Sequence, residues 1–133
     1  MVAPLENISL MIVDDDPHIR KAHRDMAEVI GVGNIFDTDS GADAIREIDK
    51  DDIHFDAILL DILMPQQDAI EILKEFADRN VRSPIIIVSA APQNLTAVVS
   101  SFGSAKELNI EAIIRKPLTI DVLNALVKKI SSQ

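Results

Sequence analysis

The stretch Phe55-Asp56-Ala57-Ile58-Leu59-Leu60-Asp61-Ile62-Leu63-Met64-Pro65 decides how this chain folds. Its apolar run, Ala57 to Leu60, reads as a strand buried on both faces, the kind found at the centre of a parallel sheet. The run stops at a carboxylate, Asp61, and Pro65 four residues later prevents simple continuation of the strand. A charge at the mouth of so apolar a strand is costly unless something positive meets it. Asp61 is therefore the candidate working residue.

Upstream, a lead-in of residues 1–7 runs into the apolar stretch 8–13 (ISLMIV), which reads as the first strand. Asp14, Asp15 and Asp16 follow at once, and Asp16 before Pro17 is a helix start, with an N-cap and then a first position suited to proline. That helix extends to about residue 30, with Ile19, Ala22, His23, Met26 and Ile30 at helical spacing, and Gly31 and Gly33 end it. Residues 35–37 form a short second strand. Ser40 with Asp43 resembles a capping box that opens a helix to about residue 49.

Downstream of the central strand, a helix is expected over about 67–79, with Ile70, Leu73 and Phe76 facing inward. Pro84 precedes a fourth strand, 85–88, which leads into Ser89. Leu95, Val98, Val99, Phe102 and Leu108 mark a longer helical segment. Ser101, Gly103 and Ser104 weaken it locally and suggest two pieces. A short last strand, 112–114, leads into Arg115-Lys116-Pro117. Thr119 caps a final helix with a stripe of Val122, Leu123, Leu126, Val127 and Ile130, before a polar tail at 131–133. Five strands alternating with five helices imply an α/β fold: a mostly parallel sheet with right-handed crossovers and helices on both faces.

Composition narrows the function. The 133 residues suit a single domain that buries roughly two thirds of its unfolded surface. Hydrophobic content of 47% with only 3% aromatic residues makes the core one of Ile, Leu, Val and Ala. Thirteen basic residues against twenty-two acidic ones, a net charge of −9, argue against direct nucleic-acid binding, which needs a basic face. Without cysteine there is no disulfide framework and no thiolate metal site. No signal-peptide pattern and no membrane-length apolar run is present, so a soluble, cytoplasmic domain is expected.

The polar residues fall at strand ends. The first strand ends at Asp14 and Asp15, the third at Asp61, the fourth at Ser89, and the fifth just before Lys116. In an open parallel sheet these ends share one edge, and ligands bind where strand order reverses. For the order 2-1-3-4-5 that point lies between strands one and three, about 4.8 Å apart. Asp14, Asp15 and Asp61 would then converge. Each carboxylate pair at about 4 Å costs roughly 4 kcal/mol at an effective dielectric of about 20. A hard divalent cation such as Mg²⁺ relieves that repulsion. With Lys116 and Ser89 added, the set suits stabilisation of a transferred phosphoryl group, with Asp61 as nucleophile. His18, His23 and His54 show no ligand spacing and read as surface or helix residues.

Val13-Asp14-Asp15-Asp16-Pro17, Leu60-Asp61-Ile62-Leu63-Met64-Pro65 with Asp68 after it, Ile87-Val88-Ser89-Ala90 and Lys116-Pro117-Leu118 together resemble the receiver domain of two-component response regulators. The likeness spans essentially all of residues 1–133 and implies a flavodoxin-like, doubly wound sheet. It implies a phosphoryl group passed to Asp61 from a sensor histidine kinase or a histidine phosphotransfer protein. By the same likeness, Asp14, Asp15, Asp61 and the backbone carbonyl of Leu63 would hold Mg²⁺. Ser89 and Lys116 would contact the phosphoryl oxygens, and the output would be contact with a downstream protein or output domain. No turnover of an external substrate is expected.

The chain departs from the family pattern in several places. Ala69 stands where a glycine is usual, Ser89 replaces the commoner threonine, and Ile113 replaces the aromatic three residues before the lysine. The Ser89–Lys116 segment is about a helical turn longer than is usual, so an altered fourth helix is expected. Two other readings follow from these residues. One is an interaction module indifferent to phosphate. The other is a metal-dependent phosphatase, disfavoured because Leu63 stands where such enzymes carry a second acid.

Leu63 and Ala91 flank the path of a hydrolytic water and neither side chain can hydrogen-bond it, which predicts a long-lived aspartyl phosphate. Loss of the label within seconds, in Mg²⁺ buffer free of phosphatase, would refute this.

Overall fold

Apolar runs too short for helices form the sheet: β1 Ser9–Val13, β2 Asn34–Thr38, β3 Ala57–Leu60, β4 Ile85–Ser89 and β5 Ile110–Arg115. Between and after them come α1 Pro17–Ile30, α2 Gly41–Ile48, α3 Ala69–Asp78, α4 Gln93–Ala105 and α5 Ile120–Ser131. The structure, a computed structural model, describes residues 4–50, 52–65 and 67–133. Of the expected lead-in, residues 1–3 lie outside the described residues, and Leu5–Asn7 form a single 3₁₀ turn. All pairings are parallel and the strand order is β2-β1-β3-β4-β5, as expected. No helix among the described residues is long and apolar enough to cross a membrane.

Strand alternation splits the core in two. Met11, Val13, Ile58, Leu60, Ile85 and Ile87 pack under α2, α3 and α4, against Ala44, Leu73, Phe76 and Val99. Their neighbours Leu10, Ile12, Ala57, Leu59, Ile86 and Val88 pack under α1 and α5, against Ala27, Leu123, Val127 and Ile130. β3 is buried at every position, which is why its sequence shows no polar alternation.

Helix starts follow the caps. Asp16 accepts from the N–H groups of His18 and Ile19, Asp68 from Ile70, and Thr119 from Val122. Ser40 accepts from Asp43 N–H, but the reciprocal half of the expected box is absent: Ser40 N–H goes instead to the Thr38 hydroxyl at 3.1 Å. α3 starts two residues later than expected because Asp68, not an earlier residue, supplies the cap.

Four local expectations are corrected. α4 is one continuous helix rather than two pieces. Gly103 sits on its buried face, where a Cβ would come within 2.9 Å of Ile110 Cδ1, so packing against β5 offsets its weak propensity. Ser131 belongs to α5, buried, with its hydroxyl donating to Lys128 O at 2.8 Å, rather than to a solvated tail. In α1 His23 and Ala27 are buried and Met26 and Ile30 pack against the core as expected, while Ala22 is exposed. His23, only 4% exposed, is therefore a helix residue of the core and not of the surface. β5 is twice the expected length and includes a register shift, with Ile85 opposite Ile110 but Ile86 opposite Ala112. The extra residue reverses the alternation, so Ala112 and Ile114 turn to the α1/α5 layer, while Ile110 packs under α4.

Phe76, where α3 meets the sheet, is the largest fully buried side chain among the described residues. Phe76→Ala is expected to lower unfolding free energy by about 3–5 kcal/mol, read from urea melts.

Candidate functional site

Register sets the site. Val13 of β1 lies opposite Leu60 of β3, so the next residues, Asp14 and Asp61, leave adjacent strands at the same level. Asp61 N–H donates to Val13 O at 3.0 Å, and Asp14 N–H to Thr38 O at 3.1 Å, which fixes both backbones against their neighbours. One carboxylate oxygen each from Asp14, Asp15 and Asp61 lies within 4.8 Å of the others. Asp14 and Asp61 are buried and Asp15 is half-buried. Asp16, the third of the run, turns away to cap α1 and lies outside this cluster.

Lys116 meets the two buried carboxylates. Its Nζ lies 3.0 Å from Asp14 Oδ2 and 3.4 Å from Asp61 Oδ2. Asp14 Oδ1 accepts from Asp16 N–H at 2.9 Å, and Asp61 Oδ1 accepts from Leu63 N–H at 3.0 Å. Burial pushes the Asp61 carboxyl above its usual range. The Leu63 N–H opposes this, Asp14 adds to it, and Lys116 opposes it. For Lys116 burial alone would lower the ammonium, yet its hydrogen bonds and attraction to Asp14 and Asp61 leave it raised. It is firmly charged. His23, lowered by burial, faces the same charges from α1 but makes no hydrogen bond to either aspartate among the described contacts.

Ser89 ends β4, buried, and Lys116 N–H donates to its carbonyl at 3.0 Å. Its Oγ accepts from Ala91 N–H at 2.8 Å, leaving the hydroxyl proton free to donate. Leu63 carries its side chain into solvent, 48% exposed, whereas Ala91 is buried. Ile113 is also 48% exposed and lines a cleft between α4 and β5 with Ser89, Thr96 and Ala97.

Two contributors are absent from the sequence reading. Arg20 donates from Nη1 to Asp14 O at 2.8 Å and from Nε to Asp37 Oδ1 at 3.1 Å, tying the acidic loop to β2. Arg24 adds a second ion pair to Asp37. The available signal is Asp37 itself, a charge in a strand that pairs with Ile12 near the end of β1.

The cluster fits a small hard cation. An octahedral Mg²⁺ at about 2.1 Å from its ligands spaces oxygens roughly 3–4 Å apart, so the three carboxylates need contract little or can act through water. All three donors are oxygen, the chemistry this ion prefers.

A doubly wound sheet with an acid cluster and a lysine at its switch point has its polar groups where open α/β sheets bind ligands. The family described as the response regulator receiver domain matches residues 10–128. The regulatory protein AtoC of Escherichia coli is 32% identical over 123 residues, covering 90% of this chain but only 24% of AtoC. The chemotaxis protein CheY-3 of Vibrio cholerae is 26% identical over 127 residues, covering 94% of this chain and 92% of CheY-3. The solved receiver domain of the Francisella response regulator 1452 superposes with a TM-score of 0.77 at 26% identity, covering 95% of this chain and 98% of that one. The chain belongs to the response regulator receiver family of two-component signalling.

The raised carboxyl of Asp61 means that the folded state holds its proton more tightly than the unfolded chain does. Its contribution to stability is present below the ordinary carboxylate range and is lost as pH rises through the raised value. At neutral pH the ionised Asp61 thus opposes folding. Asp61→Asn is expected to raise the metal-free Tm at pH 7, with the gain disappearing as pH falls below the carboxylate range. An equal or lower Tm at pH 7 would contradict the assignment.

Proposed function

We propose that Asp61 is the phosphoacceptor of a two-component relay and that Asp14, Asp15, Asp61 and the Leu63 carbonyl hold Mg²⁺ during the transfer. The observation that supports this most is the burial of Asp61 beside Asp14, with the Lys116 ammonium within 3.4 Å of both. An Asp61 oxygen attacks the phosphorus of a phosphohistidine. The P–N bond breaks and its electron pair returns to the imidazole. Held by these ligands, Mg²⁺ would neutralise the negative charge that gathers during the transfer.

Lys116 then exchanges one carboxylate partner for a phosphoryl oxygen, and the free Ser89 proton donates to another. Positioning and charge neutralisation are most of what such a transfer requires. The domain accepts one phosphoryl group and turns over no external substrate. Its donor is a sensor histidine kinase or a histidine phosphotransfer protein, and its output is protein contact through α4, β5 and α5. Under this reading it acts in the cytoplasm. Ile113 has no ring to swing and no phenol to donate, and it lines the cleft behind Ser89.

Incubation with acetyl phosphate and Mg²⁺, followed by intact-mass measurement, is expected to show one added phosphoryl group, lost in Asp61→Asn and with chelator. Addition that survives Asp61→Asn would remove the proposal.

A further inference from the structure

The loop between β3 and α3 carries Leu63, whose carbonyl is the ligand with no side chain to steer it. Leu63 N–H is fastened to Asp61 Oδ1 at 3.0 Å, and Asp68 begins α3 at the loop's other end. Between these points the loop is held by Gln67. Its backbone N–H donates to Met64 O at 3.0 Å, and Met64 is buried. The Gln67 side chain then leaves its own loop and crosses to the β2–α2 turn. Its Nε2 donates to Asp39 O at 2.9 Å, and its Oε1 accepts the N–H of Gly41.

Gly41 N–H is the first of the N–H groups at the start of α2, which have no partner within the helix. Ser40 satisfies the one at Asp43, and Gln67 satisfies this one from another element. The approach requires glycine. A Cβ on residue 41 would come within 2.7 Å of Ile72 Cδ1 and 3.0 Å of Gln67 Oε1. One carboxamide therefore bolts the metal-side loop to a helix whose Ala44 is locked in the core.

We infer that Gln67 is a positioning residue for the metal-binding loop: by pinning that loop to the N-terminus of α2, it holds the Leu63 carbonyl where Mg²⁺ needs it. The inference rests on the metal assignment above, though not on phosphate transfer. Gln67 is neutral, so replacing it changes no charge near the carboxylates. An effect on Mg²⁺ is then one of geometry, unlike an effect of Lys116 or Asp15. Groups that orient metal ligands from behind typically change affinity by about 10–100-fold when removed, and a single backbone ligand belongs at the low end.

The test is Mg²⁺ titration of the unphosphorylated protein, followed by the Leu63 amide resonance. Gln67→Met keeps length and packing while removing the side-chain hydrogen bonds to Asp39 O and Gly41 N–H. It is expected to raise the Kd for Mg²⁺ by about tenfold. Saturating Mg²⁺ should restore the rate of phosphorylation by acetyl phosphate to within about twofold of the parent. Gly41→Ala, whose Cβ would crowd Ile72 and the Gln67 carboxamide together, should weaken Mg²⁺ in the same direction. A residue that merely ties α2 to the loop would lower Tm and leave the Kd unchanged, and that result overturns the inference. So does a lost rate that saturating Mg²⁺ does not restore, or a parent protein that binds no Mg²⁺. A parent that binds Mg²⁺ yet takes up no phosphate would sink the phosphoacceptor reading and leave the role of Gln67 standing.

Discussion

Two buried carboxylates that cannot move apart organise this molecule. The β1–β3 register brings Asp14 and Asp61 out of adjacent strands at one level, and each backbone is hydrogen-bonded in place. Repulsion between them cannot be relieved by rotation of the chain; a cation or a proton must meet it. Lys116 supplies one from β5, two strands away from β3, because Lys116 N–H is itself held on Ser89 O at the end of β4. The ion pair thus connects three strand ends across the whole functional edge of the sheet. It also leaves Asp61 above its ordinary carboxylate range, since burial outweighs what one shared ammonium returns.

Around this centre the loops are fastened from outside. Arg20 joins the Asp14 carbonyl to Asp37 on β2, and Gln67 joins the β3–α3 loop to α2. These contacts lie outside the carboxylate cluster. They restrict the loops that carry its members, so the strands provide the coarse placement and the side chains the fine one. A parallel sheet suits such a division, because all its strand ends open on one edge while both faces remain free to build a core.

Much of the fold was legible because its signals are local. The run Ala57–Leu60 coincides with β3, and Asp16-Pro17 and Thr119 mark the starts of α1 and α5. Misreadings arose where a distant neighbour decided the outcome. Gly103 weakens a helix in isolation, yet its missing side chain is what lets α4 close on Ile110. Ser131 looks like tail chemistry but is the buried last residue of α5. The register shift in β5 lies outside any period-two pattern, since an extra residue reverses the faces midway.

For the site, the residue types and their order along the chain marked Asp14, Asp15, Asp61, Ser89 and Lys116 as candidates, because acids, a hydroxyl and an ammonium fall at strand ends that share one edge. Their mutual distances came only with the folded sheet: register is a pairing between separate strands, and no single stretch encodes it. The same holds for Arg20, Asp37 and Gln67, whose partners lie 6 to 28 residues away along the chain. Their contribution comes from which element happens to stand opposite. Local sequence determined what groups this protein could bring to bear. Tertiary packing decided which of them face one another, since contact energies between distant residues exist only after the chain has paid the entropy of bringing them together.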